Sequence, residues 1–166
     1  MAHSINAIIA RLPLLEKFTV SFEGVKLVPL ERDFAMVPAT SRLLEALDAR
    51  YSSSGGREFE GFVHLRGGLV ALLQELSHQG PIVYVETDYF AGVGSQAGAT
   101  FVDGEPTVVE IESEVRPVPR TMGAINSALR ALGVIRTKNL DEFDSIGLGR
   151  FRSMDDWEDD GMSERR

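Results

Sequence analysis

Residues 82–102 read Ile-Val-Tyr-Val-Glu-Thr-Asp-Tyr-Phe-Ala-Gly-Val-Gly-Ser-Gln-Ala-Gly-Ala-Thr-Phe-Val, and this stretch decides the fold. Two apolar runs flank a glycine-rich connection at 91–94, which is the pattern of a β-hairpin. A phosphate-binding glycine loop would lead into a helix, whereas few helix signals and no lysine follow these glycines. The stretch therefore predicts two antiparallel strands joined by a tight turn.

Amphipathic segments on both sides of the hairpin predict helices, because their apolar residues recur every three or four positions. We place these helices from Thr40 or Ser41, over residues 68–79 and over residues 121–133. Short strands are expected within residues 18–37 and near residues 107–111. Strands and helices alternate only loosely. We therefore predict an α+β domain, a mostly antiparallel sheet with about three helices packed on one face.

The composition is that of one folded domain. With 166 residues and 43% hydrophobic content, the chain can bury a sizeable core. We assign residues 1–160 to the domain and residues 161–166 to a frayed tail. The sequence has no apolar run long enough to span a membrane, no recognisable signal peptide and no cysteine, so we expect a cytoplasmic protein.

Acidic residues are concentrated in the second half of the chain. The formal net charge is −8, of which residues 1–80 contribute −1 and residues 81–166 contribute −7. Such a surface repels phosphate backbones and anionic lipid, and it attracts basic proteins. We expect a basic protein partner rather than a nucleic acid or a membrane, although a net charge of this size also aids solubility on its own.

Glu86 and Asp88 stand in a strand that is otherwise built to be buried. Burying a carboxylate is costly unless it is paired, so both residues need a reason. Strand alternation puts them on one face together with Tyr84 and Phe90. Three readings are open for the two acids: solvation or structural pairing, contact with a partner, and acid–base or metal chemistry.

The expected register of the hairpin leaves space above these carboxylates. If the turn occupies residues 91–94, Glu86 lies opposite Ala99 and Asp88 lies opposite Ala97. Two carboxylates at positions i and i+2 of a strand are about 7 Å apart, and the small alanines would let another group approach them. Val93 at the tip of the turn, next to Phe90, is a candidate apolar contact for a partner.

Residues 146–152, Ile-Gly-Leu-Gly-Arg-Phe-Arg, place two arginines beside two glycines. The arginines could bind an anion or reach back to the carboxylates of the hairpin. We expect the second arrangement, in which Arg150 forms a structural ion pair with Glu86 or Asp88. Such a pair would explain why that strand tolerates acidic residues.

The acidic segment Ser-Met-Asp-Asp-Trp-Glu-Asp-Asp at residues 153–160 contains the only tryptophan, Trp157. An aromatic side chain among acids suits contact with a basic partner. In the other reading, Trp157 closes the core beneath a solvated acidic turn. The candidate partner-binding residues are Glu86, Asp88, Phe90, Val93, Asp155, Asp156, Trp157 and Glu158.

Motifs for metal binding or nucleophilic catalysis are missing from the sequence. His3, His64 and His78 are scattered without the spacing of metal ligands. No serine stands in a Gly-x-Ser-x-Gly elbow. We therefore predict no metal site and no cofactor, and we assign no catalytic residue.

A pattern in the second half of the chain resembles that of a group of small standalone bacterial proteins. The pattern is Tyr-x-Glu-x-x-Tyr-Phe-x-Gly-x-Gly-x-Gln, followed by Asp-Glu-Phe-Asp, Gly-Leu-Gly-Arg and Asp-Trp. Its residues here are Tyr84, Glu86, Tyr89, Phe90, Gly92, Gly94, Gln96, Asp141 to Asp144, Gly147 to Arg150, Asp156 and Trp157. Ala91 replaces an expected glycine. The resemblance implies a connection with the immunity proteins of bacterial toxin systems.

These observations favour a binding protein over an enzyme. We expect an immunity-type inhibitor that neutralises a basic toxin domain by direct binding. One alternative is a small enzyme or a metal or ligand binder that uses Glu86 and Asp88. Another alternative is an adaptor subunit of some other protein complex.

Overall fold

The strands form one antiparallel sheet, and the helices pack against it. The computed structural model describes residues 3–51, 57–91, 93–114 and 123–163. In these ranges six strands form the sheet in the order β2-β3-β1-β4-β5-β6. The strands are β1 (His3–Arg11), β2 (Val28–Pro29), β3 (Phe34–Pro38), β4 (Ile82–Phe90), β5 (Val93–Val102) and β6 (Glu105–Glu114).

Helices cover both faces of this sheet. The described residues form α1 (Leu12–Ser21), α2 (Ser41–Tyr51), α3 (Gly67–Ser77), α4 (Gly123–Leu132), α5 (Glu142–Ser145) and α6 (Met154–Ser163). Helices α1, α2 and α3 pack on one face, and α4, α5 and α6 pack on the other. The predicted α+β class and antiparallel sheet are confirmed. The expectation of about three helices on one face is corrected to six helices on two faces.

The second layer of helices exists because the central strands are apolar on both sides. In β1, Ile8 and Ala10 belong to the cluster under α1 to α3, which we call the first core. Ile5, Ala7 and Ile9 of the same strand belong to the cluster under α4 to α6, the second core. A strand that is apolar on both faces needs cover on both sides.

The N-terminal region differs most from the expectation. Strand β1 was not predicted, and it lies between β3 and β4 at the centre of the sheet. A strand was predicted to begin at Phe18, but Phe18 is a buried residue of α1. Pro13 stands in the first turn of that helix, where its fixed φ and missing N–H are compatible with helix. Leu14, Leu15 and Phe18 then share the buried side.

The hairpin of β4 and β5 is shorter at its turn than expected. Phe90 pairs with Val93, so only two residues connect the strands, and the second of them lies outside the described residues. Glu86 therefore lies opposite Ala97, and Asp88 lies opposite Ser95, two positions from the predicted register. Because the shift is even, the predicted assignment of residues to faces is unchanged.

Small residues let α4 approach β5 closely. A Cβ atom on Gly98 would lie 2.8 Å from the Cβ of Ala128, too close for any larger pair at this crossing. The hydroxyl of Thr100 donates to the carbonyl oxygen of Ala128 at 2.8 Å. The contact joins the sheet to the helix that covers the second core.

The C-terminal helix continues beyond the expected end of the domain. Helix α6 runs to Ser163, so half of the predicted tail at 161–166 is helical backbone and the rest lies outside the described residues. Within α6, Trp157 is fully buried in the second core. Its ring stands edge-on to Phe151 with 4.9 Å between the ring centres.

Replacing Trp157 with alanine should therefore destabilise the fold. We expect a loss of about 3–5 kcal/mol in the free energy of unfolding, because the substitution leaves a large cavity in the second core. Trp157→Phe should cost less, since the indole Nε1 has no hydrogen-bond partner among the described residues. Urea denaturation followed by circular dichroism measures both. Val20→Ala, at an 88% exposed position, is the control and should stay within about 0.5 kcal/mol of wild type.

Candidate functional site

The carboxylate of Glu86 holds a loop against the sheet. Its Oε2 accepts the backbone N–H of Val63 at 2.8 Å, and its Oε1 accepts that of His64 at 2.7 Å. The hydroxyl of Tyr84 donates to the same Oε1 at 2.9 Å. Three donors to a buried carboxylate satisfy it without a cation. Glu86 therefore anchors the segment that precedes α3. Of the three readings of this acid, the contacts support structural pairing.

Tyr84 completes this anchor from within the first core. The side chain is fully buried, and its ring lies 6.2 Å from that of Phe62 between ring centres. Burial, and then the adjacent Glu86 carboxylate, raise the pKa of the Tyr84 hydroxyl well above its ordinary value. The hydroxyl consequently stays protonated and keeps donating to Glu86.

The expected ion pair between Arg150 and Glu86 is wrong. Glu86 faces the first core, whereas the guanidinium carbon of Arg150 lies 5.4 Å from the ring centre of Phe151 and 5.2 Å from that of Trp157. Both rings belong to the second-core side of the sheet. The sheet separates the two groups. Backbone N–H groups, and not an arginine, donate to the carboxylate of Glu86. No sequence motif predicts such donors.

The C-terminal candidates lie away from the hairpin. Trp157 is inside the second core, so it presents no surface to a partner, and the reading in which it closes the core is the correct one. Asp155 and Asp156 are exposed in the first turn of α6, and Glu158 is half-buried. Helix α6 contacts β1, β2 and β3, whereas the hairpin tip belongs to β4 and β5. The structure does not bring the two groups of predicted residues together.

The first acids of α6 have a structural role at its N-terminus. The hydroxyl of Ser153 donates to Asp156 Oδ2 at 2.7 Å, and the N–H of Asp156 points back to that hydroxyl at 3.3 Å. Ser153 therefore caps the N-terminus of α6, and its hydroxyl takes part in both contacts. Asp155 and Asp156 also stand at the positive end of the helix dipole, where negative charge is stabilising.

Residues of the Asp-Glu-Phe-Asp segment attach α5 to α4. Asp141 Oδ2 accepts the side-chain amide of Asn126 at 2.9 Å, and Asn126 Oδ1 accepts the N–H of Phe143 at 2.8 Å. Glu142 forms an ion pair with Arg130 at 2.9 Å. These contacts tie the chain after α4 to the second core.

Glycines and a glutamine of the resemblance pattern are also explained by packing. A Cβ atom on Gly94 would collide with the carbonyl oxygen of Asp88, and one on Gly149 would collide with the carboxylate of Asp144. The side-chain amide of Gln96 donates to the Tyr89 hydroxyl at 3.2 Å inside the protein. Several residues of the pattern, among them Glu86, Gln96 and Trp157, are therefore part of the interior.

One face of the hairpin carries exposed apolar side chains. Phe90 is 76% exposed and Val93 is 50% exposed, and they pair with each other at the tip. On the same face of the neighbouring strand, Val109 and Ile111 are 41% and 40% exposed. We call these four residues and the exposed Asp88 the open face. The tip and Asp88 are among the residues predicted from the sequence. The two residues of β6 are not, and their alternation with glutamates is the signal that marks them.

The anchored loop borders the open face. The side chain of Ile111 lies directly over Gly61, where a Cβ atom would come 2.5 Å from its terminal carbon. Val63, whose N–H binds Glu86, is itself an exposed apolar residue. The loop therefore adds apolar surface next to the open face, and Glu86 fixes its position.

His3 is partly buried at the start of β1. Its Nδ1 lies 2.7 Å from the hydroxyl of Thr87, and its ring centre lies 5.6 Å from that of Phe143. Burial, and then the charge of Arg152, lower its pKa below the ordinary 6.5. The described residues contain no group of three or more His, Asp or Glu side chains placed to hold a metal ion.

The described helices include none that is both long and apolar enough to cross a membrane. No family model, curated protein or solved structure matches the chain.

Replacing Glu86 with alanine should loosen the loop that it anchors. We expect a loss of about 2–4 kcal/mol in the free energy of unfolding, because two N–H groups and the Tyr84 hydroxyl lose a charged acceptor. Amide hydrogen exchange at Val63 and His64 should accelerate. Asp88→Ala, two residues away on the same face and exposed, is the matched control and should leave both quantities nearly unchanged. Wild-type exchange at Val63 in the Glu86 variant would contradict the anchoring role.

Lowering the pH should destabilise the protein through His3. Because its folded pKa lies below 6.5, the unfolded chain takes up this proton first, and stability is lost as pH falls below about 6.5. Asp144, whose pKa is raised by burial and by Asp141, acts in the opposite direction at lower pH. Comparing unfolding free energies of wild type and His3→Gln between pH 7.5 and 5 isolates the histidine, since both proteins keep Asp144. Parallel pH profiles would contradict the assignment.

Proposed function

We propose that this protein is a binding domain of the immunity type, which inhibits a basic protein by docking the open face onto it. The observation that carries the proposal is the 76% exposed Phe90 at the end of strand β4, paired with the half-exposed Val93 of β5. Exposed apolar clusters mark interaction sites, and buried aromatic side chains supply much of the binding energy of protein interfaces.

Pairing of the strands that carry Phe90 and Val93 supports this use. Directly below the tip, Tyr89 is buried on the opposite face, and its hydroxyl accepts a hydrogen bond from the buried side chain of Gln96. Strand β4 is in turn held between β1 and β5 over nearly its whole length. Strand backbone that is already paired in a sheet loses little conformational entropy on binding, so more of the contact energy appears as affinity.

The charge around the open face favours a basic partner. Asp88 lies on this face, and Glu110 is exposed on the opposite face of the neighbouring strand β6. Together with the net charge of −8, these residues would accelerate association with a basic protein and make it sensitive to salt. Among the original candidates, Asp88, Phe90 and Val93 remain in the proposed contact, while Glu86 and Trp157 are assigned to the interior.

The resemblance to small bacterial proteins connected with toxin immunity supports the inhibitor class. We further propose a cytoplasmic location, on the basis of the cysteine-free composition. The partner would then be a basic toxin domain that acts inside the cell. An adaptor that uses the same face is distinguished from an inhibitor by the effect of binding on the partner.

Capture of the tagged protein on resin from its source cells, followed by mass spectrometry, tests the contact. Wild type should retain one stoichiometric basic partner at low salt and release it at high salt. The double variant Phe90→Ser, Val93→Ser should lose that partner, because the apolar contact is removed while the charge is kept. Val20→Ser, Ile135→Ser is the matched control, since these residues are 88% and 75% exposed on other elements, and it should bind like wild type.

Co-expression then tests inhibition. The captured partner alone should arrest bacterial growth, and wild type but not the Phe90, Val93 double variant should restore it. Equal retention of the partner by both double variants would refute the open face as the contact. Normal growth in cells that express the partner alone would refute the inhibitor class and leave an adaptor.

A further inference from the structure

Strand β6 has one edge that no described strand occupies. It pairs antiparallel with β5 from Glu105 to Glu114, and it is the last strand of the sheet. Strand β6 has ten residues, whereas β2, the strand at the opposite edge, has two. An edge of this length presents a row of backbone N–H and C=O groups that can pair with another strand.

The side chains of β6 are divided by chemistry between the two faces. Val109 and Ile111 lie on the open face, opposite Ala99 and Ala97 of β5. Glu110, on the other face, is exposed, and Glu112 beside it is half-buried, with its carboxylate next to the start of α4. A strand added to this edge would therefore meet aliphatic neighbours on one face and carboxylates on the other.

A second copy of this chain is a poor occupant of the edge. If two β6 strands pair antiparallel about a central twofold axis, residues of one face meet residues of the same face. Glu110 then lies opposite Glu110 or Glu112 of the other copy, or a glutamate lies opposite the half-buried Val108. Like charges in direct cross-strand positions are destabilising, so the acids disfavour self-pairing.

We propose that β6 receives an extended segment of the partner in which aliphatic and basic residues alternate. The main chains would form the ladder, the aliphatic side chains would pack beside Val109 and Ile111, and a basic side chain would face the exposed Glu110. The inference deepens the proposed function, on which it rests for the existence of a basic partner. The edge and the charge pattern are observed independently of that function.

A synthetic peptide tests the edge directly. The probe is an eight-residue peptide that alternates lysine and valine, capped at both ends and used below the concentration at which it associates with itself. Isothermal titration calorimetry measures its affinity, and amide hydrogen exchange followed by NMR locates its contact. We expect binding with slowed exchange along β6. A peptide N-methylated at its four central residues should not bind, because it lacks the backbone donors.

Charge variants test the recognition of the basic residues. Glu110→Lys should weaken binding by about tenfold or more, and Glu110→Gln should weaken it less. Glu45→Lys, an exposed residue of α2, changes the net charge by the same amount and should leave the affinity within about twofold at matched ionic strength. Circular dichroism checks that each variant is folded.

Several outcomes would overturn the proposal. These are equal binding of the N-methylated peptide, equal weakening by Glu45→Lys, absence of binding at millimolar peptide, and protection confined to residues outside β6. Absence of binding would mean that the glutamates only prevent other strands from pairing with this edge. The Phe90 and Val93 variants test the proposed function separately, since capture can depend on the hairpin tip while the peptide fails to bind the edge.

Discussion

The burial of β1 and β4 on both faces is the constraint on which the rest of the structure depends. Each of these central strands contributes apolar side chains to the first core and to the second core. Neither core can therefore be omitted, because the sheet would then expose an apolar face to water. Each helical layer covers one face. The close crossing of Gly98 and Ala128 and the burial of Trp157 belong to the cover of the second face.

The sequence was sufficient for local features and insufficient for those set by distant residues. The hairpin, the helices α2 and α3 and the division of β4 residues between faces were predictable from periodicity. Strand β1 was missed because a fully buried strand shows no polar alternation. The partners of Glu86 were missed because backbone N–H groups at Val63 and His64 carry no side-chain signal. A turn shorter by two residues shifted the register without changing the faces.

Several residues of the pattern noted in the second half of the sequence have structural roles. Gly94 and Gly149 allow close approach, Gln96 binds Tyr89, and Asp141 holds Asn126. Phe90, also part of the pattern, is a large exposed hydrophobic residue.

The position of β1 in the sheet has a consequence for synthesis on the ribosome. Strand β1 pairs with β3 on one side and with β4 on the other, and about 70 residues separate its end from the start of β4. A nascent chain that has emerged only as far as α3 can form the strands β2, β3 and β1, with the β4 side of β1 unpaired and only one of the two helical layers present. At several residues per second, this half-sheet lacks β4 for seconds. The interval is a window for chaperone binding or aggregation. The edge of β1 is covered when β4 emerges, and the second face is covered when α4 to α6 follow.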